Sequence, residues 1–434
     1  MTRDQNNPKI DLNVKKHGAH PKPNNKEVNT MCAPRQLFEQ QSYTLTLDYL
    51  QEWLQLQRPQ RSLYSPKQII STLCYAATLK KTIQQAAKEL ENSPHPNTIF
   101  NELYCLDVDT LTERLNQTLA SLIPRSIFKR KRQVAIDFKS IPTWIEESKL
   151  SPDERQYIIH SKPQSGTSKF YQFASIYLIK NNKRYTLAVV MVKRGMSKKQ
   201  VVKQLLRYLA QMKGKVKCLY LDREFFAIEV INLLKEENIP FLMGARRTEG
   251  IKRLIQQEGV GIHSYTLTSG DREEQVDIVV VGKYLKGKRG KHGRRMYAYA
   301  MWKYPFSLKS LYGIDQRYRY RFGIEASHRM WEMARGRTAS KRSVIRLLFV
   351  GIAVLFYCVW VKLSHRFTLM ADKSERRKVR KQLTFQSFLT SIRRRVEDRR
   401  ERAHLELLIG LLYLLVSLLS LEVIFILPNN SQLI

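Results

Sequence analysis

Between Gln133 and Gly244 the hydrophobic rhythm switches repeatedly between short β-like runs and helical stretches, and this order restricts the fold more than any other feature. After the basic run Lys129-Arg130-Lys131-Arg132, the segment Gln133-Val134-Ala135-Ile136-Asp137 reads as a short apolar strand. Phe170 to Ile179 and Arg184 to Val192 read as two longer strands, and Asn181-Asn182 between them is a hairpin signal. Lys198 to Met212 places Val201, Leu205, Tyr208 and Leu209 on one helical face. Lys217 to Asp222 is a further strand, Ala227 to Asn238 a helix and Ile239 to Gly244 another strand. The order of three strands, helix, strand, helix, strand predicts an α/β domain. It puts Asp137 and Asp222 at the C-terminal ends of two strands.

The flanks read differently. Residues 1–40 are rich in Asn, Lys and Pro and are expected to be a mostly disordered basic tail. Residues 41–128 show helical spacing, as in Leu47, Leu50 and Leu54 or Ile69, Ile70, Leu73 and Ala76, and form an all-helical N-terminal domain that could bind DNA. Within it, Thr82 to Leu90 and Ser93 to Ile99 fit a helix-turn-helix, with Asn97 or Thr98 capping the second helix. Two packed helices that touch no DNA fit equally well. Residues 246–312 break the βα alternation. Tyr265-Thr266-Leu267, Val276 to Val281 and Tyr297 to Met301 read as extra strands of a β-rich insertion whose Gly282–Arg295 loop is very basic. A helix carrying Glu325 follows. Leu347 to Val361 is an apolar helix of about 22 Å, short of the roughly 30 Å hydrocarbon core, and reads as buried. Residues 366–434 form a basic and apolar C-terminal helical region, in which Leu407 to Leu427 is either a cap helix on the core, the preferred reading, or a membrane segment.

Charge narrows the partner. The 434 residues hold 75 Lys+Arg against 38 Asp+Glu, a formal charge of +37, and such self-repulsion calls for a polyanion. Nucleic acid is the leading candidate, ahead of an anionic membrane surface or a ribosome. Cys32, Cys74, Cys105, Cys218 and Cys358 are scattered without a C-x-x-C pair, which argues against a disulfide scaffold or zinc cluster and for a reducing compartment. Residues 1–31 are polar, so no secretory signal is expected.

One acid stands out among the cations. In Tyr318-Arg319-Tyr320-Arg321-Phe322-Gly323-Ile324-Glu325, Arg321 and Glu325 are one helical turn apart. Taken singly, Asp137 ends a strand, Asp222 opens a turn and Glu325 pairs with Arg321. Taken together they are hard oxygen ligands of the kind that hold Mg²⁺ or Mn²⁺ for phosphoryl transfer, with Asp137 as the bridging carboxylate.

The strand and helix order is that of a ribonuclease-H-like core, and the chain resembles a DDE transposase of prokaryotic insertion sequences over roughly residues 130–365. The resemblance is to the branch with a Y-x2-R-x3-E-x6-K signature and a β-rich insertion. Tyr318, Arg321 and Glu325 fill that signature, and Asp222-Arg223-Glu224-Phe225 matches the D-R-x-F/Y around the second aspartate. Asp137-Phe138-Lys139-Ser140 fits the first aspartate's neighbourhood loosely. The final lysine falls on Glu332, and Arg329 or Arg335, one turn to either side, is the expected replacement. The resemblance implies catalytic and metal-binding roles for Asp137, Asp222 and Glu325. It also implies binding of terminal inverted repeats, cleavage, and joining of 3′-hydroxyls to target DNA, by a homodimer in the synaptic complex. Tyr318 and Arg321 would meet a phosphate or displaced base, Trp302 and Trp331 are candidates for stacking on a flipped base, and Lys286, Lys288, Arg289, Lys291, Arg294 and Arg295 would track the backbone of double-stranded DNA.

The setting implied is the nucleoid in a prokaryotic cytoplasm, with no stable membrane association. Three other readings stand beside this one: a ribonuclease-H-like nuclease without strand transfer, a catalytically dead DNA-binding descendant, and a basic membrane-associated protein. The three acids in register speak against the second and have no place in the third.

Overall fold

The computed structural model describes residues 25–57, 62–179, 184–284, 293–305 and 311–398. Five helices open the described chain: α1 (Asn25–Leu54), α2 (Pro66–Thr78), α3 (Ile83–Glu89), α4 (Pro96–Tyr104) and α5 (Val108–Leu122). The strands are β1 (Arg132–Pro142), β2 (Ile158–Gln164), β3 (Thr167–Leu178), β4 (Thr186–Met191), β5 (Val216–Leu221), β6 (Phe241–Gly244), β7 (Gly261–Ser269), β8 (Arg272–Tyr284) and β9 (Arg294–Trp302). Between and after them come α6 (Pro152–Arg155), α7 (Lys198–Gln211), α8 (Ile228–Glu236), α9 (Glu249–Gln257), α10 (Leu311–Tyr318), α11 (Gly323–Ala334), α12 (Ser343–Met370) and α13 (Arg376–Gln382), with residues 385–398 also helical.

All nine strands join one mixed sheet in the order β2-β3-β1-β5-β6-β9-β8-β7, with β4 also paired to β3. Within it, β4-β3-β1-β5-β6 is the expected ribonuclease-H-like core: β3 runs antiparallel to β1 and β4, whereas β5 pairs parallel with both β1 and β6. The β3–β4 connection through Asn181-Asn182 lies outside the described residues. Strand β2 is an addition to the expected set. It pairs with the first part of β3 and turns through Ser165 and Gly166, both at positive φ (52° and 77°), the left-handed pair that a tight hairpin needs.

The β-rich segment after residue 246 does not stand apart. β7, β8 and β9 form an antiparallel meander, and β9 pairs with β6 from Phe241↔Trp302 to Gly244↔Tyr299, so the meander extends the core sheet. The same segment also holds α9, whose Ile251, Leu254 and Ile255 form a short apolar helical stripe that the strand reading of this segment passed over.

Two other expectations change. Helix α1 starts at Asn25, inside the span expected to be disordered, and its Phe38, in the same span, is buried against the rings of Phe367 and Phe388 (centroids 5.5 and 6.5 Å). Residues 1–24 lie outside the described residues. Helix α4 is capped by His95, whose Nδ1 accepts from the Asn97 N–H at 3.3 Å, with Pro96 in the first turn, rather than by Asn97 or Thr98.

Helix α12 is the central pillar. At 28 residues, about 42 Å, it is longer than the apolar run suggested and, by length alone, could cross a bilayer. Burial supports the core reading: 89% of its most apolar window is inside the protein, packed against α1, α5 and α11. Gly351 lets the Trp53 ring of α1 approach its backbone, where a Cβ would collide. Residues 407–427 lie outside the described residues.

Candidate active site

Strand alternation decides where the acids point. Ala135 on β1 and Tyr220 on β5 face the side of the sheet covered by Ile314 and Tyr318 of α10 and Ile324 of α11, whereas Val134, Ile136, Leu219 and Leu221 face the main core. Asp137 and Asp222 come two residues after Ala135 and Tyr220, so they continue the α10–α11 side. Ile136↔Leu221 is the last parallel pair between the two strands, which brings both aspartates to the same level at the strand ends. Each carboxylate is steadied by its own turn: Asp137 Oδ1 accepts from the Phe138 N–H at 2.9 Å, and Asp222 Oδ1 from the Arg223 N–H at 2.8 Å.

Glu325 arrives on the first turn of α11. The chain reaches it through a tight helical turn at Arg319–Phe322 between α10 and α11, not along one unbroken helix. Gly323 is required there, because the Tyr177 hydroxyl occupies the place a Cβ would take. That hydroxyl donates to the Tyr320 carbonyl at 2.9 Å.

The Arg321 guanidinium stands among all three acids. Nη1 lies 2.9 Å from Asp137 Oδ2, and Nη2 lies 3.7 Å from both Asp222 Oδ1 and Glu325 Oε1. Its side chain is 6% exposed and its charge centre lies 5.6 Å from the Tyr318 ring and 5.1 Å from that of Phe322. Burial pushes the Asp137 carboxyl up to about 6; Arg321 pulls it down, while Asp222 and Glu325 raise it further. Three carboxylates face this one guanidinium, so the cluster is short of positive charge.

The other expected site residues divide. Tyr318 does not present itself to DNA: it is buried, and its hydroxyl donates to the Leu221 carbonyl at 3.0 Å, so it ties α10 to the end of β5 next to Asp222. Trp331 is 2% exposed in the core and offers no face to a base. Trp302 on β9 is partly exposed, with the Lys303 ammonium 4.5 Å above its ring. Arg329 is exposed on α11. Arg335 is bound to Glu332, donating from Nη2 at 2.7 Å and Nε at 3.2 Å to one carboxylate oxygen. Arg294 and Arg295 are exposed at the start of β9, and Arg295 lies over the Tyr297 ring at 5.7 Å. Lys286, Lys288, Arg289 and Lys291 lie outside the described residues.

Two residues near the acids carried no signal in the linear reading. Lys139 on β1 reaches Glu332 Oε1 at 3.2 Å. His328 on α11 is buried within 3.1 Å of Ser175 Oγ, the strand partner of Asp137. Burial pushes its pKa down to about 3, so the ring is neutral.

Among the described residues, no group of His, Cys, Asp and Glu side chains is drawn together tightly enough as it stands to hold a metal ion. The donor set nonetheless fits a hard divalent cation. It offers carboxylate oxygens only, from three separate elements, converging on a point that already carries positive charge and is short of it.

A family model described as "Transposase DDE domain" matches residues 129–357, a span that holds β1 to β9 and all three acids. No curated protein matches the sequence. Among solved structures, the chain is similar to a piggyBac transposase synaptic complex with hairpin DNA, with 13% identity, a TM-score of 0.46, and coverage of 84% of this chain and 82% of that one. On the family match, which spans more than half of its length, the chain belongs to the DDE transposase family.

Proposed function

We propose that this protein binds the inverted terminal repeats of an insertion sequence of the Y-x2-R-x3-E branch, cleaves at their ends and joins the 3′-hydroxyls to target DNA. The observation that carries the reading is the convergence of Asp137, Asp222 and Glu325 on one buried guanidinium. A stable fold has little use for three acids gathered at the ends of two strands and a helix, where each raises the cost of ionising the next.

Asp137, Asp222 and Glu325 would hold the Mg²⁺ or Mn²⁺ that the reaction needs. Bound there, the ions supply Lewis acidity for the attacking hydroxyl and the leaving oxygen. The protein's own part is orientation. The main-chain N–H groups of Phe138 and Arg223 fix two of the carboxylates. Tyr318 holds α10 against β5, so that Arg321 and Glu325 arrive at a set height. The planar fork of Arg321, buried and turned to all three acids, would hold those carboxylates together, an arrangement a lysine would not match. Arg329, Arg294 and Arg295, with Lys286, Lys288, Arg289 and Lys291, would follow the DNA backbone. The working assembly would be a homodimer bringing two ends together, in the cytoplasm of a prokaryotic cell at its nucleoid.

The test uses a plasmid carrying the DNA that flanks the coding region on both sides. Purified protein with Mg²⁺ should nick at the repeat ends and transfer them to a second plasmid. Asp222→Asn should bind the same DNA but lose cleavage by about a thousandfold or more. Wild-type cleavage by Asp222→Asn would overturn the site, and cleavage without joining would favour the simple nuclease.

A further inference from the structure

The three acids have a second cluster beside them, and its charge is reversed. Lys139 follows Asp137 by two residues on β1, so it lies on the same face, about 7 Å further along the strand. Glu332 follows Glu325 by seven on α11, two turns along the same helical face. The strand and the helix thus meet twice, first as an acid pair around Arg321 and then as Lys139 against Glu332. Between the two meetings, His328 of α11 lies against Ser175, and this contact holds the helix along the sheet.

Glu332 sits between two cations. Lys139 Nζ is 3.2 Å from Oε1, and Arg335 donates twice to Oε2. Burial works to raise the Glu332 carboxyl, but Arg335 and Lys139 outweigh it and hold the group ionised. The trio therefore carries one net positive charge in a fixed arrangement. Its donors are far from used up: the lysine has three N–H bonds and makes one contact here, and the guanidinium has five and spends two. Lys139, Glu332 and Arg335 are each partly exposed, with 27%, 36% and 23% of the side chain accessible.

We propose that Lys139, positioned by Glu332 and joined by Arg335, binds the phosphate next to the one that is cut. This rests on the reading of Asp137, Asp222 and Glu325 as the cleavage site. The offset of Lys139 from Asp137 is comparable to the distance between neighbouring phosphates on one strand, so a strand whose scissile phosphate sits at the acids places the next one within reach. In the family signature a lysine is found where this chain has Glu332. The geometry assigns that positive charge to β1, with the glutamate serving as its holder. Lys139 is a positioning residue for the DNA strand; the reacting atoms belong to the acids.

The experiment uses the full chain and the flanking-DNA plasmid. Lys139→Ala is expected to lower end cleavage by about tenfold or more, with melting temperature and the Mg²⁺ midpoint unchanged. Adding Glu332→Lys to Lys139→Ala should restore most of the lost rate, since it puts a cation back beside the same site. Adding Glu332→Ala should not restore it. If Glu332→Ala rescues as well as Glu332→Lys, Lys139 only neutralises a carboxylate and the proposal is overturned. Full activity of Lys139→Ala alone would overturn it too. Asp222→Asn run alongside separates the two ideas: its retained cleavage sinks the cleavage site itself, whereas its loss with an active Lys139→Ala sinks only the phosphate contact.

Discussion

The two halves of the site are built on opposite terms. Asp137 belongs to a sheet interior: its side chain is 15% exposed, its strand is paired on both sides, and its pKa is driven up to about 6 chiefly by burial. Glu325 belongs to a helix start: its side chain is 53% exposed, and it follows a tight turn rather than a continuous helix. Each half supplies what the other lacks. The sheet fixes two acids in register at the cost of desolvating one of them, and the helical half brings the buried cation that makes this tolerable. The helical half is in turn tied to the sheet by side-chain bonds that include Tyr318 to Leu221, Tyr177 to Tyr320, His328 to Ser175 and Tyr299 to Asp315.

That contrast is open to attack at each connection. The largest effect should come from Arg321→Ala, which leaves the buried Asp137 without its cation and is expected to cost about 3 kcal/mol of stability. Adding Mg²⁺ should return much of the loss, because the same carboxylates would then share another positive charge; a melting curve of Arg321→Ala that ignores Mg²⁺ would break the argument. His328 should come next. Its ring is buried and neutral, with Lys139 and Arg321 also disfavouring its protonation and only Glu332 favouring it. Its folded pKa of about 3 lies below the unfolded value near 6.5, so its contribution is fully present above pH 6.5 and is lost as pH falls from there toward 3. Between pH 6.5 and 5 this amounts to about 2 kcal/mol, at roughly 1.4 kcal/mol per unit. His328→Gln should flatten the dependence of melting temperature on pH in that window relative to wild type, and identical slopes would remove His328 from the account. The smallest effect is expected of Tyr318→Phe, which deletes one hydrogen bond to Leu221 and should cost about 1 kcal/mol. If instead it abolishes cleavage with the fold intact, the hydroxyl contacts DNA after all and the positional role is wrong.

Much of this was legible in the linear chain, for physical reasons. Asp137 and Asp222 could be found because each closes an apolar run too short for a helix, and that length favours a buried strand. Arg321 and Glu325 could be paired because a helical turn puts residues four apart side by side, and the tight turn at Arg319–Phe322 preserves that neighbourhood. What escaped depends on distant partners. Nothing around Tyr318 tells that its hydroxyl would be taken by Leu221, and nothing in Asp137-Phe138-Lys139-Ser140 announces Glu332. Strand β2 was hidden because most of its residues are exposed and it pairs only with the start of β3. The burial of Phe38 depends on aromatics that lie hundreds of positions later. Charge read alone could place cations near the acids but could not say that Arg335 would pair with Glu332.

The central claim is that Asp137, Asp222 and Glu325 together form a metal site, and Mn²⁺ binding followed by electron paramagnetic resonance tests it without relying on DNA. Wild-type protein should take up Mn²⁺, and Mg²⁺ should compete for the same site. Asp137→Asn and Asp222→Asn should each lose that binding while keeping a wild-type circular dichroism spectrum. Undiminished, Mg²⁺-competed Mn²⁺ binding in both variants would contradict the account.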